Sequence, residues 1–172
     1  MTDDPWLQFM QMQSPAQGLS LREILGLDVQ SMEDDEAFIS WLFPLPEGCE
    51  IAPDAPVLTA EHFEAIKVSP KLRKQIGVNL DRVLLHWGIE RQATQFLKGQ
   101  NYEEQSGLWL CSLDHNHLRI ERVLAFLTLT GFQLLAHELF KFLNARMQDE
   151  LLGKIGSVKD WAQALQRKGP GN

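Results

Sequence analysis

The chain has 172 residues, 44% of them hydrophobic and 23% charged, which suits one soluble globular domain with a real core. Its net charge of −7, from 16 basic against 23 acidic residues, excludes general affinity for phosphate backbones or anionic membranes, so nucleic acid is not an expected partner. Cys49 and Cys111 give neither zinc spacing nor a disulfide framework, the acidic start Met1-Thr2-Asp3-Asp4 is not a signal peptide, and no apolar run reaches the ~18 residues of a membrane span; the expectation is a reduced, cytoplasmic protein.

Residues 1–18, rich in Met and Gln with Pro5, Pro15 and Gly18, read as a flexible N-terminal arm whose Trp6, Leu7, Phe9 and Met10 are free to dock. Ser20 with Glu23 three residues on is a capping box that opens a short helix to Gly26. Asp34 or Asp35 starts a helix carrying Phe38, Trp41 and Leu42 at spacings of three and four, and Pro44 and Pro46 end it. A proline-rich loop follows to residue 58. Thr59 caps a helix with Phe63 and Ile66 on its apolar face, and Ser69-Pro70 opens another that Gly88 stops.

Arg91 to Leu97 reads as one or two helical turns, and residues 99–107 as loop. Asp114 caps a helix ended by Gly131, Phe132 restarts one to about Leu151, and Ser157 caps a last amphipathic helix to Gln166. Residues 169–172 read as a frayed tail. No segment alternates with period two for long. The predicted fold is all-α, an irregular single-domain bundle of about seven or eight helices over residues 19–168.

Two groups of residues stand out. The first is the aromatic run Phe38-Ile39-Ser40-Trp41-Leu42-Phe43-Pro44, read as a core-facing helix with Phe43 and the proline loop at its exposed edge. The second is Asp114-His115-Asn116-His117 with Arg119 and Arg122 after it. A helix N-terminus favours an anion, and two arginines three apart can fork a carboxylate or phosphate. Histidines two apart in a helix point roughly 200° away from each other and cannot share one ion, and no third ligand has metal spacing. Helix capping and structural hydrogen bonds are the plainer reading of that cluster. Nucleophile elbows, phosphate loops and dinucleotide fingerprints are missing, so neither catalytic nor metal residues nor a cofactor are assigned.

Three blocks in order resemble a known family. Phe38 to Pro46 followed by Pro53-Asp54-Ala55-Pro56-Val57-Leu58-Thr59, then Leu80-Asp81-Arg82-Val83-Leu84-Leu85-His86-Trp87-Gly88-Ile89, then Asp114 to Leu124, are similar to the conserved region of the opioid growth factor receptors, over residues 31–145. The family pattern His-x-Tyr-Ile-Gln-Trp meets Glu36, Phe38 and Ser40 here at its His, Tyr and Gln positions. At this length the chain resembles a compact microbial member without the repeat-bearing tail of the vertebrate receptors. The resemblance implies receptor-type binding of Met-enkephalin in the animal members, which are nuclear or membrane-associated, and implies no catalytic residue.

The expectation is therefore a non-enzymatic binding or interaction module. Its ligand would be a small molecule or short peptide, or a protein partner, held by Trp41, Phe43, Asp114, His115, Asn116, His117, Arg119 and Arg122. The alternative is a small enzyme or metal-binding protein built on Asp114-His115-Asn116-His117. The sequence does not determine the oligomeric state.

Overall fold

Capping residues, prolines and helical apolar spacing dominate this sequence, and the computed structural model, which describes residues 4–13 and 19–169, is accordingly mostly helix. Among the described residues there are ten α-helices and one two-stranded sheet. The chain forms two compact units, residues 1–79 and 80–172.

The first unit holds α1 (Pro5–Met10), α2 (Leu21–Gly26), α3 (Val29–Asp34), α4 (Phe38–Leu42), α5 (Ala60–Val68) and the start of α6 (Pro70–His86). Local chemistry sets these ends. The Ser20 and Glu23 box closes on α2 with both reciprocal bonds. Asp28 caps α3 through the Ser31 amide at 2.7 Å. Asp35 accepts from the Ala37 and Phe38 amides at 2.8 and 3.2 Å and so starts α4. Thr59 caps α5, and His62 rather than Glu closes that box by accepting the Thr59 amide on Nδ1 at 3.1 Å. The core of the unit is Trp6, Phe9, Leu21, Met32, Leu42 and Ile66, among others, each fully buried.

One difference from the sequence reading lies in the arm. Residues 5–10 are not loose: Asp4 caps them, Pro5 takes the first helical position, and Trp6, Phe9 and Met10 are buried. Six residues do not hold a helix unaided, so burial of these three side chains is what orders α1. Residues 1–3 and 14–18 of the arm, and 170–172 of the tail, lie outside the described residues.

The second unit continues with β1 (Ile89–Gln92), β2 (Gln95–Lys98), α7 (Tyr102–Gln105), one 3-10 turn over Ser106–Leu108, α8 (His115–Leu129), α9 (Gln133–Asp149) and α10 (Gly156–Ala164). α8 packs against α9 and α10, and α9 against β2. Val123 to Thr130 are buried on every side of α8, and the Thr128 and Thr130 hydroxyls are satisfied by the Leu124 and Phe126 carbonyls at 2.8 and 2.7 Å. Among the described residues no helix is long and apolar enough to cross a membrane.

The segment expected to be one or two helical turns is instead a hairpin. Gln92 pairs with Gln95, leaving a two-residue loop of Ala93 and Thr94, and Ile89 and Phe96 bury the same face. Gly88 makes this turn from α6 feasible: its φ is +75°, and a Cβ there would lie 2.8 Å from the Tyr102 Cα. Ser157 also departs from expectation. It is the second residue of α10 rather than its cap, and its hydroxyl bonds to His117.

Ala93 sits at φ +56° without the freedom of glycine. Ala93→Gly is expected to stabilise the protein by up to about 1 kcal/mol, and Gly88→Ala to destabilise it by about 2 kcal/mol or more, as shifts of the urea midpoint at constant slope. A destabilising Ala93→Gly would mean that the loop is not held as described.

Candidate functional site

α4 places the first group of sequence-identified residues. All five of its residues are buried. Trp41 retains 8% exposure, whereas Phe43, expected at an exposed edge, is fully buried core. Two further prolines of its loop divide: Pro44 is buried and Pro46 is exposed. The reason is the helix's brevity. Five residues make little more than one turn, so the chain cannot present a polar face and buries the whole run.

Trp41 is covered by α1. Its carbonyl accepts the Trp6 indole N–H at 3.0 Å, and the Phe9 ring meets it edge-on at 5.5 Å. Its own Nε1–H has no hydrogen-bond partner among the described residues, and neither has the Ser40 hydroxyl next to it. A buried donor left unpaired costs about 1–3 kcal/mol, and buried polar atoms are rarely left so. Beside the start of α4 lies a shallow depression of about 660 Å³, rimmed by Asp34, Asp35 and Glu36 and bordered by Leu27, Ser31 and Ile51.

The Asp114 cluster is built differently. Asp114 caps α8, accepting the Asn116 backbone and side-chain N–H groups at 2.8 and 3.0 Å. Asn116 is fully buried, and its Oδ1 accepts the Trp87 indole N–H at 3.0 Å and Arg119 Nη1 at 3.3 Å. Trp109 donates in turn to the Trp87 carbonyl at 2.9 Å. His117, 3% exposed, faces the Trp109 carbonyl with Nε2 at 2.8 Å and the Ser157 hydroxyl with Nδ1 at 2.8 Å. A carbonyl only accepts, so the proton sits on Nε2, and Nδ1 takes the serine hydrogen. The His117 carbonyl receives the Trp161 indole N–H at 2.9 Å, and the two rings meet edge-on at 5.4 Å.

Asn116 and His117 thus hold tryptophans. His115, one residue into α8, is exposed and 3.5 Å from Asp114, so the two imidazoles point apart as helical geometry requires. Arg119 is buried and Arg122 half-buried. Cys111 lies 4.0 Å from His117 Nε2, but burial, reinforced by the Asp114 carboxylate, raises its thiol above the ordinary value and disfavours a thiolate. The sequence reading had no signal for Ser157, Trp109 or Trp161 as members of this cluster, because their partners are backbone carbonyls or lie far along the chain. It also missed the bidentate pair Arg91–Asp81, with bonds of 2.7 and 2.8 Å.

Comparison with known proteins bears on these same segments. The family model described as the opioid growth factor receptor conserved region matches residues 7–166, nearly the whole chain. The chain is 31% identical to the mouse opioid growth factor receptor over 105 residues, covering 59% of this chain and 16% of the mouse protein. It is 30% identical to the human opioid growth factor receptor over 137 residues, covering 76% of this chain and 20% of the human protein. The chain therefore spans a fifth or less of the length of these relatives. No solved structure matches it. With all three resembling blocks, the α4 run, Leu80 to Ile89 and the start of α8, inside the matched region, the chain belongs to the opioid growth factor receptor conserved-region family.

Proposed function

We propose that this chain is a non-enzymatic binding module, and that a small molecule or short peptide engages it through Trp41 and Ser40 on α4. The single observation that supports this is the pair of buried, unpartnered polar atoms in the family's first signature block. An indole N–H suits a carbonyl or carboxylate, and a serine hydroxyl suits either a donor or an acceptor. Each atom could be satisfied by a ligand that the free protein lacks. The names of the mouse and human relatives, receptors for a growth factor, agree with a binding role. In this proposal Phe43 backs the Trp41 site as core, whereas Asn116 and His117 serve within the second unit, where they hold Trp87 and Trp161.

The alternative, acid–base or metal chemistry at Asp114-His115-Asn116-His117, finds less support. Both nitrogens of His117 are engaged in the hydrogen bonds described above, Asn116 supports Trp87, and the two imidazoles diverge. General acid–base work needs a nitrogen free to reach a substrate proton.

Two substitutions of equal volume test the polar atoms. Trp6→Phe removes an indole N–H that is used, whereas Trp41→Phe removes one that is not. Trp6→Phe is expected to cost about 1–3 kcal/mol more than Trp41→Phe in chemical denaturation, and Ser40→Ala to be neutral or stabilising by about 1 kcal/mol. Equal losses at Trp6 and Trp41 would show that Trp41 Nε1 is satisfied.

A thermal-shift screen with short peptides, aromatic acids, nucleotides and metal salts tests the function. A peptide or aromatic acid is expected to raise the midpoint by mass action, with the shift lost in Trp41→Phe. A metal-dependent shift that disappears on His117→Gln would support the alternative instead.

A further inference from the structure

The helix α1 does not merely fill space in the first unit; each of its buried groups is read by a specific partner. Asp4, ahead of the helix, places Oδ2 at 2.9 Å from His62 Nε2 while Oδ1 caps the Leu7 amide at 2.8 Å. His62 is 2% exposed, and because its Nδ1 accepts the Thr59 amide, its Nε2 carries the proton and donates to the carboxylate. The Trp6 ring meets the His62 ring edge-on at 4.8 Å, and its N–H reaches the Trp41 carbonyl. Phe9 packs on Trp41, and the Met10 sulfur lies 3.4 Å from Asn79 Nδ2, which is fully buried. A carboxylate, then an aromatic residue, then a second aromatic and a thioether three and four positions further on, form one readable face of a helix.

The seat is also larger than its occupant. On the far flank of α1 a cavity of about 290 Å³ remains, between Leu7, Met10 and Gln11 and the α5–α6 corner at Ala65, Val68 and Leu72. Val68 beside it is 72% exposed. A helix of six residues has little stability of its own, so α1 stays only by virtue of these contacts and is open to competition.

We infer that the α1 seat is a recognition groove for a short amphipathic helix with an acidic cap and aromatic residues at its i and i+3 positions, and that α1 is its internal occupant. His62 reads the acid, the Trp41 carbonyl reads the first aromatic residue when it is tryptophan, and Asn79 reads the thioether. The inference rests on the proposed binding role only in taking Trp41 as ligand-facing: a ligand seated on Trp41 must displace α1 or share the groove with it. It identifies the partner class as a helical peptide rather than a nucleotide or metal.

The test uses the full chain and a fluorescent peptide of residues 1–13 as the competing occupant. Trp6→Ala in the full chain weakens the internal occupant, so the peptide should bind that variant at least tenfold more tightly than the wild type by fluorescence anisotropy. The same peptide carrying Asp4→Asn should bind at least fivefold more weakly, and His62→Gln in the Trp6→Ala chain should erase the difference between the two peptides. Should Trp6→Ala fail to fold by circular dichroism, Asp4→Asn in the full chain serves as the weakened occupant, with the same order expected. Equal affinity for wild type and variant, or indifference to Asp4→Asn in the peptide, would overturn the inference. Peptide binding with no Trp41-dependent hit in the ligand screen would leave it standing while the proposed function fails; the reverse pattern would refute the inference alone.

Discussion

The buried indole N–H is the interaction on which this structure turns. The chain has five tryptophans, four of them with no exposed surface and the fifth with 8%. Each buries a large apolar area, but each also carries a donor that must be matched once water is gone. Four are matched over long distances along the sequence: Trp6 to Trp41, Trp87 to Asn116, Trp109 to Trp87 and Trp161 to His117, 22 to 44 residues apart. Three of those four acceptors are backbone carbonyls, which a point mutation cannot remove. Hydrophobic burial brings these segments together, and each indole bond ties two of them at one defined point.

Histidine complements this role in each unit. His62 and His117 are both nearly buried, and each spans two partners with its two nitrogens. His62 joins the cap of α5 to the cap of α1; His117 joins the Trp109 carbonyl to α10 and offers its own carbonyl to Trp161. A neutral imidazole suits this because it donates on one side and accepts on the other. The same engagement occupies both ring nitrogens of His117. Asn116 and His117 serve as structural connectors, and among the described residues an indole N–H and a serine hydroxyl inside the aromatic run of α4 lack a partner.

Much of this was legible in the sequence because caps are local. Ser20 with Glu23, Thr59, Ser69-Pro70, Asp114, Gly88 and Gly131 act within a few residues of their own position, and all sit at the helix ends that their types predict. The hairpin was not legible. Its strands have four residues each, too few for alternation to register, and its loop is Ala93-Thr94 rather than a glycine-bearing pair. Ser157 was misread for a related reason: a serine ahead of an apolar run has the pattern of a cap, but its hydroxyl is drawn to His117, 40 residues away. Trp41 and the Asp114 cluster could be found from residue type, whereas their hydrogen bonds could not, since those depend on which distant carbonyl arrives nearby.

We propose that four indole N–H groups lock the fold and that the fifth, on Trp41, is kept for a ligand. Hydrogen exchange of the five indole N–H signals in a ¹⁵N-labelled sample tests it most directly. The account predicts slow exchange for Trp6, Trp87, Trp109 and Trp161. It predicts a distinctly faster, unbonded Trp41 signal in the free protein that becomes protected when a ligand binds. A Trp41 signal as protected as the other four without ligand would contradict it.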